Sequence, residues 1–143
     1  MPSGLTALAF LNLRNNQLTN VTVPPDAQQL IGIFLDGNPL ASVVLSEPLA
    51  AANLAGTVML LQNQGVSVFT YPLTAQLVRP RMLAGAFQFG ITGPPGIYAV
   101  LDSTNLVVWS VLGAATNSLG NIVFTDTETN LSPQKFYGTR LTP

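Results

Sequence analysis

Few side chains in this sequence have the chemistry that catalysis requires. The 143 residues contain no histidine and no cysteine, which removes imidazole bases, thiolate nucleophiles and the usual protein ligands of zinc. A serine–lysine pair would have to use Lys135, the single lysine, and the nearest serine is Ser132 in a turn-like Ser-Pro sequence. We therefore predict that the chain is not an enzyme and has no catalytic residues.

One segment alternates oxygen-bearing side chains in the manner of a calcium-binding loop. Residues Asp126 to Asn130 read DTETN, but the central glycine and the terminal glutamate of an EF-hand are missing. We interpret the segment as a loop between strands. The sequence therefore predicts no metal site and no cofactor.

Charged residues are scarce, and this narrows the possible partners. They make up 8% of the chain, with a net charge of −1, whereas about 25% is usual for a soluble domain. No basic stripe is present, so nucleic-acid binding lacks its electrostatic contribution. No apolar run reaches the roughly 18 residues of a membrane span. A surface made of small polar and apolar groups favours lasting contact with other protein.

Two neighbouring stretches of the chain repeat the same pattern at an offset of 22 residues. We call residues 1–22 the first repeat and residues 23–44 the second repeat. The apolar and asparagine positions that align are Leu8 with Leu30, Leu11 with Ile33, Leu13 with Leu35, Asn16 with Asn38, Leu18 with Leu40 and Val21 with Val43. This spacing resembles that of a leucine-rich repeat, where each repeat forms one coil of a solenoid.

Alternation within each repeat predicts a short strand with one buried side. The inward row of the first repeat is expected to contain Leu5, Leu8, Leu11, Leu13, Leu18 and Val21. The alternate residues of the strands in both repeats and in the last strand should form a concave face made of Phe10, Asn12, Arg14, Phe34, Asp36 and Phe69. On neighbouring strands Arg14 and Asp36 would form a solvated ion pair. Asn16 and Asn38 are expected to bond the backbone where each strand turns away.

The segment after the second repeat has two interpretations. Asn63 can be placed under Asn38 as a third coil, but this exposes leucine positions and puts Gly65 at one of them. A capping helix fits better, because Pro48 suits a first helical position and Gly65 suits a stop signal. Residues 66–71 then form the last strand of the solenoid.

From about residue 74 the pattern changes to short strands separated by turns. Strands are predicted at residues 86–91, 98–101, 107–112, 121–125 and 136–141, with an optional one at 73–79 followed by a hinge at 79–81. Trp109 is expected in the core. This rhythm is typical of an antiparallel β-sandwich. The predicted fold class is therefore mixed: a short leucine-rich repeat solenoid with a capping helix at 1–73, then an immunoglobulin-like β-sandwich at 74–143.

Several motifs of the second half resemble a known type of domain. They are Phe87-x-Phe89, Gly93-Pro94-Pro95-Gly96-x-Tyr98, Ser103 to Trp109, Phe124-Thr125-Asp126 and Ser132 to Tyr137. Together they are similar to the small C-terminal β-domain of secreted and surface proteins of environmental bacteria, which often follows leucine-rich repeats. The resemblance implies an extracellular or cell-surface location and a structural or adhesive role.

Two functions are compatible with these features. The first is self-assembly: no polar cap precedes the first repeat, so its leucine row would dock on another copy and build a head-to-tail filament. The last strand, residues 136–141, is the expected receiving surface. The alternative is a protein- or glycan-binding adhesion module that uses the concave face.

Overall fold

The chain divides into two compact units, Met1–Leu73 and Thr74–Pro143. The computed structural model describes residues 4–128 and 134–142. Within these ranges the chain is mostly β-strand, with two short helices and four small sheets. Each unit has its own hydrophobic core.

The first unit contains two parallel sheets. Strands β1 and β3 form one of them, and β2, β4 and β5 form the other in that order. The offset of the sequence repeat reappears in the strand register, because Phe10 lies opposite Gly32 and Asn20 lies opposite Ser42. The elements are β1 (Phe10–Asn12), β2 (Asn20–Thr22), β3 (Gly32–Phe34), β4 (Ser42–Ser46), α1 (Glu47–Ala51), α2 (Ala55–Asn63) and β5 (Ser67–Tyr71).

The core of the first unit is built from alternate residues of its strands. Ile33 and Leu35 point inward and are almost fully buried, whereas Phe34 between them is exposed. This is the two-residue period of a strand with one covered face. The other fully buried members include Val23, Leu30, Val43, Leu45, Leu49 and Leu54.

The predicted fold class, a leucine-rich repeat solenoid with a capping helix followed by a β-sandwich, is wrong. The described residues form four small separate sheets with two short helices, and no solenoid is shown. One reason is that only two stretches carry the 22-residue pattern, while stacked repeats need about three or more. After β4 the chain enters α1 and α2, and among the described strands none joins the sheet of β1 and β3 as a third member.

The predicted capping helix is interrupted. Instead of one helix between Pro48 and Gly65, α1 and α2 are separated by a short turn. In this turn the Asn53 side-chain amide donates to the Leu30 carbonyl at 3.2 Å, and Leu54 is buried in the core. Gly65 has a φ of +82°, the left-handed conformation with which glycine ends a helix.

Asn38 connects the two repeats, and its loss should destabilise the first unit. Its side-chain amide donates to the carbonyls of Leu13 and Leu35, both at 2.8 Å, and its oxygen accepts from the Leu18 N–H at 3.1 Å. At about 1 kcal/mol for each hydrogen bond, Asn38→Ala should lower the free energy of unfolding by about 2 to 3 kcal/mol.

Asn16 is the matched control for this substitution. It occupies the same position in the first repeat, but its amide bonds within the described residues go to carbonyls of its own repeat, at Leu13 and Arg14. Asn16 is exposed whereas Asn38 is partly buried, so water can replace the lost bonds, and Asn16→Ala should cost about 1 kcal/mol or less in urea unfolding. Equal losses for the two variants would contradict the bridging role of Asn38.

The second unit contains two antiparallel sheets of three strands each. Their orders are β6, β7, β10 and β9, β8, β11, with β7 and β8 in the centres. Phe89 and Ile91 of β7 and Tyr98 and Val100 of β8 are buried in one shared core. The strands are β6 (Gln76–Leu83), β7 (Ala86–Thr92), β8 (Gly96–Ser103), β9 (Ser110–Asn117), β10 (Asn121–Asp126) and β11 (Phe136–Leu141).

The hinge predicted at residues 79–81 is a β-bulge within a continuous strand. The pairing of β6 with β7 shifts between Val78 and Arg81. Arg79 has a φ of +51°, which places its backbone in the left-handed region. The extra residues are therefore absorbed without ending the strand.

The strand predicted from Val107 begins later, at Ser110. The Asn105 side-chain oxygen accepts the N–H groups of Val107 and Val108, both at 2.9 Å, so this segment is held in a turn rather than a ladder. Trp109 is not a core residue as predicted: it is 39% exposed. Its indole N–H donates to the Leu106 carbonyl at 3.3 Å.

Candidate interaction surface

The structure places five of the six predicted concave-face residues together, on the outer side of the sheet of β1 and β3 and just beyond it. They are Phe10, Asn12, Phe34, Arg14 and Asp36. Phe69 belongs to β5 and pairs with Val44 in the other sheet. The first unit therefore presents two aromatic rings, those of Phe10 and Phe34, on this side.

The Phe10 ring packs closely against β3. Phe10 is 60% exposed, and its ring lies so near Gly32 that a Cβ there would stand 2.8 Å from the ring carbon Cδ1. Glycine at this position lets the aromatic ring cover the neighbouring backbone.

The two charges of the face neutralise each other. The Arg14 Nε donates to Asp36 Oδ2 at 2.7 Å, and the guanidinium carbon lies 4.6 Å from the centre of the Phe34 ring. The hydrogen bond from Arg14 is the main reason why the pKa of Asp36 lies below its usual value. The face therefore offers a partner apolar area and backbone groups rather than an unpaired charge.

A groove of about 440 Å³ lies between β3 and α2. Its exposed walls are apolar, with Ile31 and Leu60 each 53% exposed. The sequence patterns did not predict a role for either residue. The exposure of Leu60 could have been predicted from helical spacing. Leu54, Val58 and Leu61 recur at i, i+4 and i+7 along one side of the helix, and Leu60 lies outside that row.

The leucine row of the first repeat is less covered than its counterpart in the second repeat. Leu8, Leu11 and Leu13 are half-buried against the core, whereas their counterparts Leu30, Ile33 and Leu35 are at most 6% exposed. Of the other predicted assembly residues, Leu5 and Leu18 are half-buried and Val21 is 5% exposed. The second repeat is covered on both sides, and within the described residues the first is covered on one.

Strand β2 also has an open edge. The Thr19 carbonyl and the Val23 N–H both bond toward β4. Backbone groups alternate sides along a strand, so those of Asn20 and Thr22 face away from the sheet. Among the described strands, β2 has one neighbour, β4.

The second unit holds a buried ionic cluster that sequence patterns did not predict. The Lys135 ammonium lies 2.9 Å from Asp126 Oδ2 and 3.2 Å from Asp102 Oδ2. Asp126 also accepts from the Tyr137 hydroxyl and the Glu128 N–H, each at 2.8 Å. The cluster joins β10 of one sheet to β8 and β11 of the other.

The electrostatics of this cluster fit a structural role. Burial raises the pKa of Asp126, but the hydrogen bonds from Lys135, Glu128 and Tyr137 outweigh it and lower the pKa overall. Burial lowers the pKa of Lys135, but its bonds to Asp126 and Asp102 outweigh that effect and raise the pKa. Burial and the bond to Asp126 raise the pKa of Tyr137. Lys135 is therefore held protonated, the opposite of what a base or nucleophile needs.

The calcium-like segment lies partly outside the described residues, which exclude Thr129 and Asn130, and Ser132 is outside them as well. In the part that the structure describes, no group of three or more acidic, histidine or cysteine side chains could hold a metal ion. Among the described helices, none is long and apolar enough to cross a membrane. Comparisons with protein-family models, curated proteins and solved structures found no match for this chain.

Proposed function

We propose that this chain is a non-enzymatic structural protein that assembles with further copies of itself, head to tail, through its first repeat. The observation that carries the proposal is the half-buried leucine row of that repeat beside the open edge of β2. An extracellular or cell-surface location is part of the proposal and rests on the resemblance of the second half.

The other edge of the same sheet suits β2 as a partner. The Ser67 N–H bonds to Ala41 next to β4, so by alternation the backbone groups of Val68 and Thr70 face away from the sheet. Because β2, β4 and β5 are all parallel, joining β5 of one copy to β2 of the next keeps one strand direction. Such a contact uses two different surfaces and continues as a chain unless its rotation closes.

Strand β5 fits better than the expected receiving strand, residues 136–141. That strand is β11, which also lies at the edge of a sheet, but the sheet is antiparallel. Pairing of β5 with β2 would keep the parallel direction that β4 already has with β2 within the chain. We therefore assign the receiving surface to β5.

The energetics predict an assembly that depends on concentration. Covering the five half-buried leucines would contribute on the order of 5 kcal/mol at roughly 25 cal/mol per Å². The freedom lost on association costs about 4 to 15 kcal/mol. The free energy from leucine burial is therefore close to the lowest estimate of the association cost. Stable assembly needs the backbone hydrogen bonds of the strand pairing as well.

Proline substitutions at the two edges test the proposal. In Thr22→Pro and in Thr70→Pro, the outward N–H is lost while the bonds to β4 remain. Each variant should raise the concentration needed for assembly at least about tenfold in sedimentation velocity. Thr22→Val, which keeps the N–H, should assemble like the wild type.

Mixing the two proline variants gives a sharper result. Each keeps one intact edge, so an equimolar mixture should form mainly heterodimers, while each variant alone stays monomeric. Wild-type chain that is monomeric at every concentration tested would refute the proposal. Filaments that persist in both variants under negative-stain microscopy would show that other surfaces build them.

A binding or adhesion module that uses the concave face is the second candidate function. Phe10 and Phe34, at 60% and 37% exposed, favour it, because exposed aromatic rings are common anchors in interfaces. Binding to a protein or glycan ligand that is lost in Phe10→Ser, with assembly unchanged, would support this candidate over the first.

A further inference from the structure

The two sheets of the first unit end differently beside α2. Strands β2 and β4 are followed by a third strand, β5, but β1 and β3 have none among the described residues. The corresponding stretch of chain is Ala55–Asn63, which forms α2. The second edge of β3 is therefore left facing a helix across the groove.

That edge carries backbone groups with no strand to bond. The Gly32 N–H donates to the Ala9 carbonyl, and the Leu13 N–H donates to the Phe34 carbonyl. Gly32 and Phe34 thus bond toward β1, and the N–H and C=O of Ile33 point the other way. No turn or side-chain hydrogen bond reaches these groups within the described ranges. Ile33 lines the groove beside α2, so a strand placed in the groove could pair with these groups.

The groove beside this edge has the size and lining of a binding site. Its volume of about 440 Å³ lies within the roughly 300 to 1,000 Å³ typical of ligand sites. The apolar walls are Ile31, Phe34 and Leu60, and Gln64 adds a neutral polar group. The Arg14–Asp36 pair is already satisfied at 2.7 Å, so the groove contains no free charge to select a charged ligand.

We infer that this groove binds an extended, uncharged peptide segment of a partner protein, which adds to β3 as a third strand of the β1–β3 sheet. Strand addition satisfies the Ile33 backbone, and alternate side chains of the peptide contact the apolar walls. We assign the groove to a single strand and not to a whole repeat of another copy, because α2 lines the side of the groove opposite β3. The inference does not depend on the proposed assembly, which uses the edges of β2 and β5.

A fluorescein-labelled peptide with the sequence of residues 8–13, LAFLNL, whose side chains are all uncharged, is a suitable probe. Its central part already pairs with β3 in the chain's own sheet. Fluorescence polarisation should show saturable binding to the full chain.

Leu60→Glu should weaken binding of the probe at least about tenfold, because a charge enters the apolar wall of the groove. Met59→Glu is the matched control: Met59 is 65% exposed on the same helix but does not line the groove, so its affinity should stay within about twofold of the wild type.

Two N-methylated peptides distinguish strand addition from hydrophobic adsorption. One carries the methyl groups on the third and fifth residues of the probe, and the other carries them on the fourth and sixth. A strand bonds β3 through one edge only, so one isomer should bind like the parent peptide and the other should lose at least about tenfold in affinity. Equal binding of the isomers, equal effects of Leu60→Glu and Met59→Glu, or no binding would overturn the inference.

Discussion

Replacing Asp126 with alanine should lower the free energy of unfolding by about 3 to 5 kcal/mol, the range for breaking a buried ion pair. The Asp126 and Lys135 side chains are 1% and 11% exposed. Without Asp126, the acidic partner that the described residues leave to Lys135 is Asp102, at 3.2 Å, and the Tyr137 hydroxyl loses its acceptor. Urea unfolding near neutral pH, followed by circular dichroism, measures this loss.

The effect should depend on pH in a defined direction. Because the pKa of Asp126 lies below its usual value of 3.8, its stabilising contribution is complete above that pH. The contribution disappears as the pH falls through the lower folded-state value. The difference in the free energy of unfolding between wild type and Asp126→Ala should therefore narrow in acid.

Glu128→Ala is the matched control for Asp126→Ala. It removes an exposed carboxylate two residues away and should cost about 0.5 kcal/mol or less. A similar loss in both variants would argue against the buried cluster as the cause.

Leu30→Ala should lower the free energy of unfolding of the first unit by about 2 to 5 kcal/mol. Leu30 is fully buried, and the Asn53 amide holds its carbonyl, so the surrounding segments have little freedom to close the cavity. Ile31→Ala provides the comparison at the next position, because Ile31 is 53% exposed. It should cost about 1 kcal/mol or less. Equal losses at the two positions would show that the assigned inward and outward faces are wrong.

Sequence periodicity was informative where a property depends on neighbouring residues. Alternation separates the inward Ile33 from the outward Phe34, and Gly65 marks a helix end through its own backbone preference. The repeat offset also reappears in the register of Phe10 with Gly32. The same reasoning failed over longer distances. It extended one helix across Asn53, although that side chain bonds to a residue in the second repeat.

The candidate surfaces were only partly predictable for the same reason. The leucine row follows from spacing, but its partial exposure depends on which segments cover it. Phe69 fits the alternation of the concave face, yet its strand joins the other sheet. The groove exists because α2 lies beside β3, at the place where the neighbouring sheet has the strand β5. The residues around β3 contain no local pattern that predicts this arrangement.

The sequence by itself determined the chemistry that this chain lacks, since no fold can supply an imidazole or a thiolate to residues 1–143. It also determined which face of each short strand is apolar, because alternation is a property of consecutive residues. The tertiary structure alone decided where each sheet ends and which strand edges stay open. It also brought Asp102, Asp126, Lys135 and Tyr137 into one cluster. These outcomes depend on contacts between residues far apart in the chain, where burial and hydrogen bonding outweigh local preference.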